Sequence, residues 1–175
     1  MGARVRLREV TTDDAALLDL WQSPDYRGTF NDFGQPSRAA APPPEMIVGE
    51  RGAMIVELAA DGTPIGSVSW HSVRYGPNPE STVLNIGINL VPDARGHGYG
   101  GEAQRLLAEF LFATTAVNRV EAMTDVENVA EQRALEKSGF VREGVLRGSQ
   151  YRAGAWHDLV VYSVLRPPPP RIGRT

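Results

Sequence analysis

The sequence has no cysteine, which excludes disulfides, thiolate metal sites and a covalent cysteine nucleophile together. It has no basic excess: the formal net charge is -3, whereas a general nucleic-acid surface is basic. No apolar stretch approaches the roughly 18 residues that span a bilayer. No apolar run follows the opening Met1-Gly2-Ala3-Arg4-Val5-Arg6, so neither a membrane segment nor a signal peptide is expected. Gly-Lys-Ser/Thr is absent, which removes the P-loop, and no Gly-x-Ser-x-Gly elbow offers a serine nucleophile. What remains is an ordinary globular composition of 175 residues, 42% apolar and 22% charged. That suits one domain with its own core and points to the cytoplasm.

Residues 4–10 alternate apolar and charged side chains, the pattern of a half-buried strand. Thr11-Thr12-Asp13-Asp14 offers a capped start to a helix carrying Leu17, Leu18 and Trp21. Residues 23–44 give few regular signals, and a short helix is expected over 45–50. Residues 53–60 and 64–73 read as strands joined at Asp61-Gly62, a hairpin signal. A fourth strand covers 82–91 and ends at Pro92. A helix over about 98–117 follows, its apolar face formed by Leu106, Leu107, Phe110, Leu111, Thr114 and Val117. Then come a strand over 119–126, a helix over 128–138 closed by Gly139, and strands at about 140–147 and 157–165. Consecutive strands followed by interrupting helices predict an α/β (α+β mixed) fold, a mixed sheet with helices on its faces. Residues 1–166 form the expected domain, and 167–175 a proline-rich flexible tail.

Chemistry concentrates at Arg95-Gly96-His97-Gly98-Tyr99-Gly100-Gly101, where a strand runs into a glycine-dense turn and a helix begins. Helix N-termini present unpaired N–H groups and partial positive charge. Glycine lets the backbone approach a ligand closely, so the segment suits a pyrophosphate, with Arg95 as an added cation. The literal match to Gly-x-Gly-x-x-Gly at Gly96, Gly98 and Gly101, with Glu121 about 20 residues on, also fits a dinucleotide site of an NAD-dependent oxidoreductase. Pro92-Asp93-Ala94-Arg95 between strand and first glycine, and the meander ahead of it, weigh against that reading.

Arg95, Gly98 and Gly100 match the Arg-x-x-Gly-x-Gly signature of the GNAT acetyltransferase superfamily. The block from Asn128 to Lys137-Ser138-Gly139-Phe140 resembles that family's next helix, and Trp156 to Ser163 resembles the branch containing ribosomal-protein N-terminal-alanine acetyltransferases. The resemblance covers about residues 4–166. It implies a mostly antiparallel seven-stranded sheet with a cofactor cleft between strands 4 and 5, and acetyl-CoA as co-substrate with no metal. Backbone groups near Leu90 and Val91 would pair with the pantetheine arm. The amides of Gly96, His97, Gly98, Tyr99, Gly100 and Gly101 would hold the diphosphate, and Asn128 would face the pantetheine or the thioester end. Lys137 would help neutralise phosphate, or is an ordinary helix-end lysine. A homodimer is a further implication of the family.

The implied reaction is direct acetyl transfer to a primary amine, which needs a deprotonated amine and a donor for the developing oxyanion. The branch's strand-4 glutamate is replaced by Asn85. His71 is the next candidate base on intrinsic pKa, or a half-exposed strand histidine. The family's tyrosine position holds Leu135, and the branch's serine position holds Glu131. These gaps keep open a non-catalytic acetyl-CoA-binding regulatory module. Trp21, Tyr26, Phe30 and Phe33 would wall an acceptor site, bordered by Asp158 beside His157. The acceptor would be a protein N-terminus, a polyamine, an aminoglycoside-like drug or a small metabolite.

Overall fold

A computed structural model describes residues 2–33 and 46–168. Its first strand, β1 (Val5–Glu9), pairs antiparallel with β2 (Arg51–Leu58). β2 is buried on both faces, and its one acid, Glu57, is paired by Arg6 at 2.8 Å and Arg8 at 2.5 Å. Arg8 also reaches Asp14 at 2.7 Å, so the carboxyl that closes the capping box at Thr11 is tied to the first strand.

Gly62, at φ +77°, takes the left-handed conformation that the turn into β3 (Pro64–Arg74) requires. β3 pairs antiparallel with both β2 and β4 (Thr82–Leu90). A parallel neighbour needs a crossover, supplied by helix α3 (Tyr99–Thr114), which leads to β5 (Arg119–Asp125). β7 (Ala155–Leu165) pairs antiparallel with β5, and β6 (Val141–Arg152) lies outside β7. The order is β1-β2-β3-β4-β5-β7-β6, a mixed, mostly antiparallel seven-stranded sheet.

Helices α1 (Ala15–Trp21), α2 (Pro24–Arg27) and α4 (Val129–Lys137) complete the fold. The core joins Leu107 and Leu111 of α3 and Leu135 of α4 to Val68, Trp70, Leu84, Ile86, Val120 and Tyr162 of the sheet. Complete burial of Leu107 or Leu111 contributes about 1.5–3 kcal/mol apiece. α3 stops at Thr114, earlier than its apolar pattern predicts. Arg166 donates to the carbonyls of Phe112, Thr115 and Val117 at 2.7–2.9 Å, capping the helix end with a cation. At α4 the expected cap is present, with Gly139 at φ +88°.

Three expectations are corrected. Residues 46–50 form a turn closed by Ile47 and Arg51, not a helix, and Glu45 lies outside the described residues. The stretch after Ser23 is more regular than expected, because Pro24 at the first helical position starts α2. The last two strands extend to a tight hairpin at Ala153-Gly154, both at positive φ. Glycines at 144, 148 and 154 mask the strand pattern in the sequence.

Candidate cofactor and acceptor cleft

β4 and β5 are paired only at Leu84–Val120, Asn85–Glu121 and Ile86–Ala122. Beyond Ile86 they part, opening a cleft of about 1430 Å³. Gly87, Ile88, Asn89 and Leu90 form one wall, and Met123, Thr124 and Asp125 the other. The Val91 amide donates to the Ile65 carbonyl at 2.9 Å, and the Leu90 carbonyl accepts from Arg95 at 2.9 Å. Val91 therefore turns toward β3 and does not line the cleft, whereas Leu90 does.

The glycine turn closes one end. Gly96 at φ +79° and Gly98 at φ +80° occupy backbone that only glycine adopts without strain. Gly98 is the N-cap of α3, so the amides of Tyr99, Gly100 and Gly101 have no carbonyl one turn earlier in the helix. A Cβ at Gly96 would meet no protein atom within 4 Å, while one at Gly101 would lie 3.1 Å from the Ala134 carbonyl and from the Ser138 hydroxyl. Gly96 thus opens onto free space, Gly98 faces the Arg4 guanidinium, and Gly101 lets α3 and α4 pack closely.

Two arginines hold this turn. Arg95 donates to the carbonyls of Leu90 and Tyr26, so it pins α2 as well as lining the cleft. Arg4 donates to the carbonyls of His97 at 3.0 Å and Gly98 at 3.3 Å and pairs with Glu102 at 3.0 Å. Burial would raise the pKa of Glu102, but hydrogen bonds from the Arg4 amide and side chain hold it below the usual range. The His97 ring stacks on Tyr99 outside the cleft lining, its Nδ1 2.8 Å from the Arg95 carbonyl. Arg4 and Glu102 are 98 residues apart, and no local pattern announces them.

At the other end, His71 and Asn85 are register partners across β3 and β4, and both line the cleft with Val73, Phe30 and Phe33. Behind Asn85 lies Glu121, fully buried and bound by the Tyr75 hydroxyl at 3.1 Å and by Arg119 at 3.2 Å. Burial, then the Glu121 charge, raises the Tyr75 pKa. No ribose reaches Glu121 there, which removes the dinucleotide reading. Phe30 is held by Arg152, which donates to its carbonyl at 3.1 Å and stacks over its ring. Arg152 is itself buried against Asp125 at 2.5 Å. Trp21 is 3% exposed within the protein, Tyr26 offers its carbonyl to Arg95, and Asp158 accepts the Gly148 amide at 2.7 Å. None of these three lines the cleft.

α4 supplies the remaining wall through Asn128, Glu131, Ala134 and Lys137. The Asn128 carbonyl oxygen caps the helix by accepting from the Glu131 amide at 3.3 Å, and its nitrogen donates to Thr124 at 2.9 Å. Its side chain is thus engaged within the protein. Glu131 accepts from Gln104 of α3, and burial pushes its carboxyl above the usual range. No cluster of candidate metal ligands occurs among the described residues.

A family model described as an acetyltransferase (GNAT) domain matches residues 4–141. The chain is similar to an uncharacterized N-acetyltransferase of Bacillus subtilis, YoaA, with 29% identity over 59% of this chain and 56% of that protein. It is also similar to the probable N-acetyltransferase YjcK of Bacillus subtilis, with 33% identity over 62% of this chain and 59% of that one. The matches therefore span under two thirds of these relatives' length. Among solved structures, spermidine N-acetyltransferase from Vibrio cholerae, in complex with CoA and spermine, superposes with a TM-score of 0.74. The identity is 16%, and 94% of this chain and 96% of that one are covered. RimL, a ribosomal L7/L12 alpha-N-protein acetyltransferase in complex with coenzyme A, gives 0.76 at 15% identity, covering 94% and 95%. At these identities the likeness is one of fold.

Proposed function

The chain belongs to the GNAT acetyltransferase family, and from that premise we propose that it moves the acetyl group of acetyl-CoA directly to a primary amine while both substrates occupy the cleft. The observation that carries this is one continuous cleft with a glycine-shaped, amide-lined turn at one end and His71, Asn85 and Phe30 at the other. Acetyl-CoA supplies an activated acyl carbon. The amides from Gly96 to Gly101 hold its diphosphate, each contributing about 1.5–3 kcal/mol as a bond to a charged oxygen. Arg4, Arg95 and Lys137 add positive charge around them. Gly87 to Leu90 present main chain to the pantetheine arm. Asn85 and His71 bind the amine and the water that takes its proton, and Phe30 and Phe33 wall the acceptor. The acceptor is a protein N-terminus or a small amine.

Arg166 capping α3 supports a single N-acetyltransferase domain over residues 1–166. The reliance on acetyl-CoA supports a cytoplasmic location. Val141, Leu146 and Tyr151, exposed on edge strand β6, support a homodimer, which sedimentation tests. The activity is tested by free CoA release and product mass across a panel of N-terminal peptides, polyamines, aminoglycosides and small amines. Acetylated product from one class is expected. Acetyl-CoA binding with no release for any amine would leave a non-catalytic acetyl-CoA-binding module instead.

A further inference from the structure

Arg4 stands just before β1, yet its side chain ends on the glycine turn. Its guanidinium donates to the His97 carbonyl at 3.0 Å and to the Gly98 carbonyl at 3.3 Å. It also lies over the Tyr99 ring, 5.4 Å from the centroid. One side chain thus holds His97, Gly98 and Tyr99 in a row. Arg95, by contrast, donates to Leu90 before the turn and to Tyr26 of α2, so it does not touch the turn's own peptides. Arg4 is itself anchored. Glu102, in the first turn of α3, accepts the Arg4 side chain at 3.0 Å and the Arg4 main-chain amide at 2.7 Å. Its carboxylate is largely buried, and it balances the charge of Arg4. What the arginine adds to the turn is therefore chiefly geometry.

Peptide planarity converts this grip into a direction for N–H groups. In a trans peptide the N–H points opposite to the C=O. The His97 carbonyl shares its peptide with the Gly98 amide, and the Gly98 carbonyl shares its peptide with the Tyr99 amide. Holding both carbonyls on the Arg4 side aims both N–H groups away from it. The turn does not fix these planes by its own side chains. Gly96 and Gly98 sit at φ +79° and +80°, and glycine populates positive and negative φ about equally. The hold therefore comes from outside the turn, across 98 residues of sequence.

We propose that Arg4, clamped by Glu102, is a positioning residue that holds the glycine turn so that the Gly98 and Tyr99 amides meet the cofactor's diphosphate together. The assignment rests on the acetyltransferase reading above. A turn already set in its binding form spares the ligand the cost of ordering it. Arg4 acts through the turn and not on the reacting atoms, so its effect falls on cofactor affinity and leaves the transfer step alone.

The test has two readouts. In the first, 15N relaxation is measured on the protein without ligand. The order parameters of the Gly98 and Tyr99 amides are expected to fall in Arg4→Ala, while those of β4 and β5 keep their wild-type values. Unchanged order parameters at the turn overturn the proposal. In the second, kcat/KM is compared for acetyl-CoA and for S-acetylpantetheine, a donor that ends before the diphosphate. Arg4→Ala is expected to lose on the order of tenfold with acetyl-CoA, through a raised KM at unchanged kcat, and nothing with S-acetylpantetheine. Equal losses with both donors assign Arg4 to the fold alone and overturn the proposal. Arg4→Lys keeps the charge without the planar fork and is expected to recover little of the loss, whereas full recovery makes Arg4 a plain cation and overturns it. Glu102→Gln is expected to weaken acetyl-CoA binding, and tighter binding, as from a released cation, overturns it too. Wild-type protein that binds CoA but acetylates no amine ends the acetyltransferase reading alone, and weaker calorimetric binding of CoA by Arg4→Ala then still supports the clamp. Wild-type protein that binds no CoA ends both.

Discussion

Asn85 and Glu121 face each other across the parallel β4–β5 pairing, the Asn85 amide nitrogen 3.4 Å from a Glu121 carboxyl oxygen. Glu121 also pairs with Arg119, so it is an acceptor only. Asn85 must present its NH2 group to Glu121, which turns Oδ1 the other way, toward the cleft that Asn85 lines. An outward carbonyl oxygen suits an amine N–H or a bound water, and it cannot take a proton. Asn85→Ala is therefore expected to raise KM for the amine roughly three- to tenfold, the worth of about one hydrogen bond. KM for acetyl-CoA stays unchanged. Steady-state kinetics with each substrate varied checks the split, and a parallel rise in both constants would refute an acceptor-side role.

Two glycines in one turn give separable outcomes. Gly98 has φ +80° and opens onto the Arg4 guanidinium, 3.3 Å from a built Cβ, whereas Gly101 meets helix α4. Gly98→Val is expected to weaken acetyl-CoA binding at least about tenfold with the protein still folded, through backbone strain of about 1–2 kcal/mol and displacement of the Arg4 side chain that holds the turn. Gly101→Val pushes α4 away and is expected to destabilise the fold by about 1–3 kcal/mol, lowering Tm by several degrees. Calorimetric titration and thermal melts distinguish them, and equal acetyl-CoA affinity in Gly98→Val would refute the cradle.

The sheet was legible because its strands carry their own periodicity, and the glycine turn because the requirement is local: positive φ at Gly96 and Gly98 forces glycine into the sequence. The rest depends on contacts that no window contains. Arg4 reaches His97 and Gly98 from the other end of the chain, and Arg152 reaches back to Phe30. Asn128 reads as a ligand residue; it lines the cleft and also caps a helix, a role that the sequence alone does not separate from the other, because the same amide serves either purpose. Trp21 has the composition of a binding wall but the burial of a core residue. Glu131 stood out only as a missing serine, and its environment needed Gln104 from another helix.

Acid stability follows from carboxyls held ionised. Glu143, bonded by Arg119 and Ser163, has its pKa lowered to about 2, and Asp14, bonded by Arg8, lies lower still. A group whose folded pKa is depressed adds stability above its unfolded value, about 4 for these residues. That stability is lost as the pH falls through the folded value, since the unfolded chain binds more protons in between. The unfolding midpoint in urea is therefore expected to hold steady above about pH 5 and to drop between about pH 4 and pH 2. In Arg8→Ala the drop shrinks across that whole window, because the ionised form of Asp14 loses its guanidinium. Denaturation curves at stepped pH measure this, and a midpoint unchanged down to about pH 2 would contradict it.

Arg152 links the segment carrying Phe30 to the sheet. Its guanidinium is buried against Asp125 at 2.5 Å and donates to the Phe30 carbonyl at 3.1 Å. Burial would raise the Asp125 pKa, but the Glu127 amide and Arg152 hold it below the usual range. Removing one partner of a buried pair leaves an uncompensated charge, at a cost of about 3–5 kcal/mol. Arg152→Ala is expected to lose that much stability. Arg152→Met with Asp125→Asn, which removes both charges and retains most of the volume, is expected to recover most of it. The loop then still lacks its tie at Phe30, so the double variant shows a raised KM for the amine. Urea unfolding gives the first comparison and substrate-resolved kinetics the second. A double variant with wild-type stability and an unchanged amine KM would assign Arg152 to the fold alone.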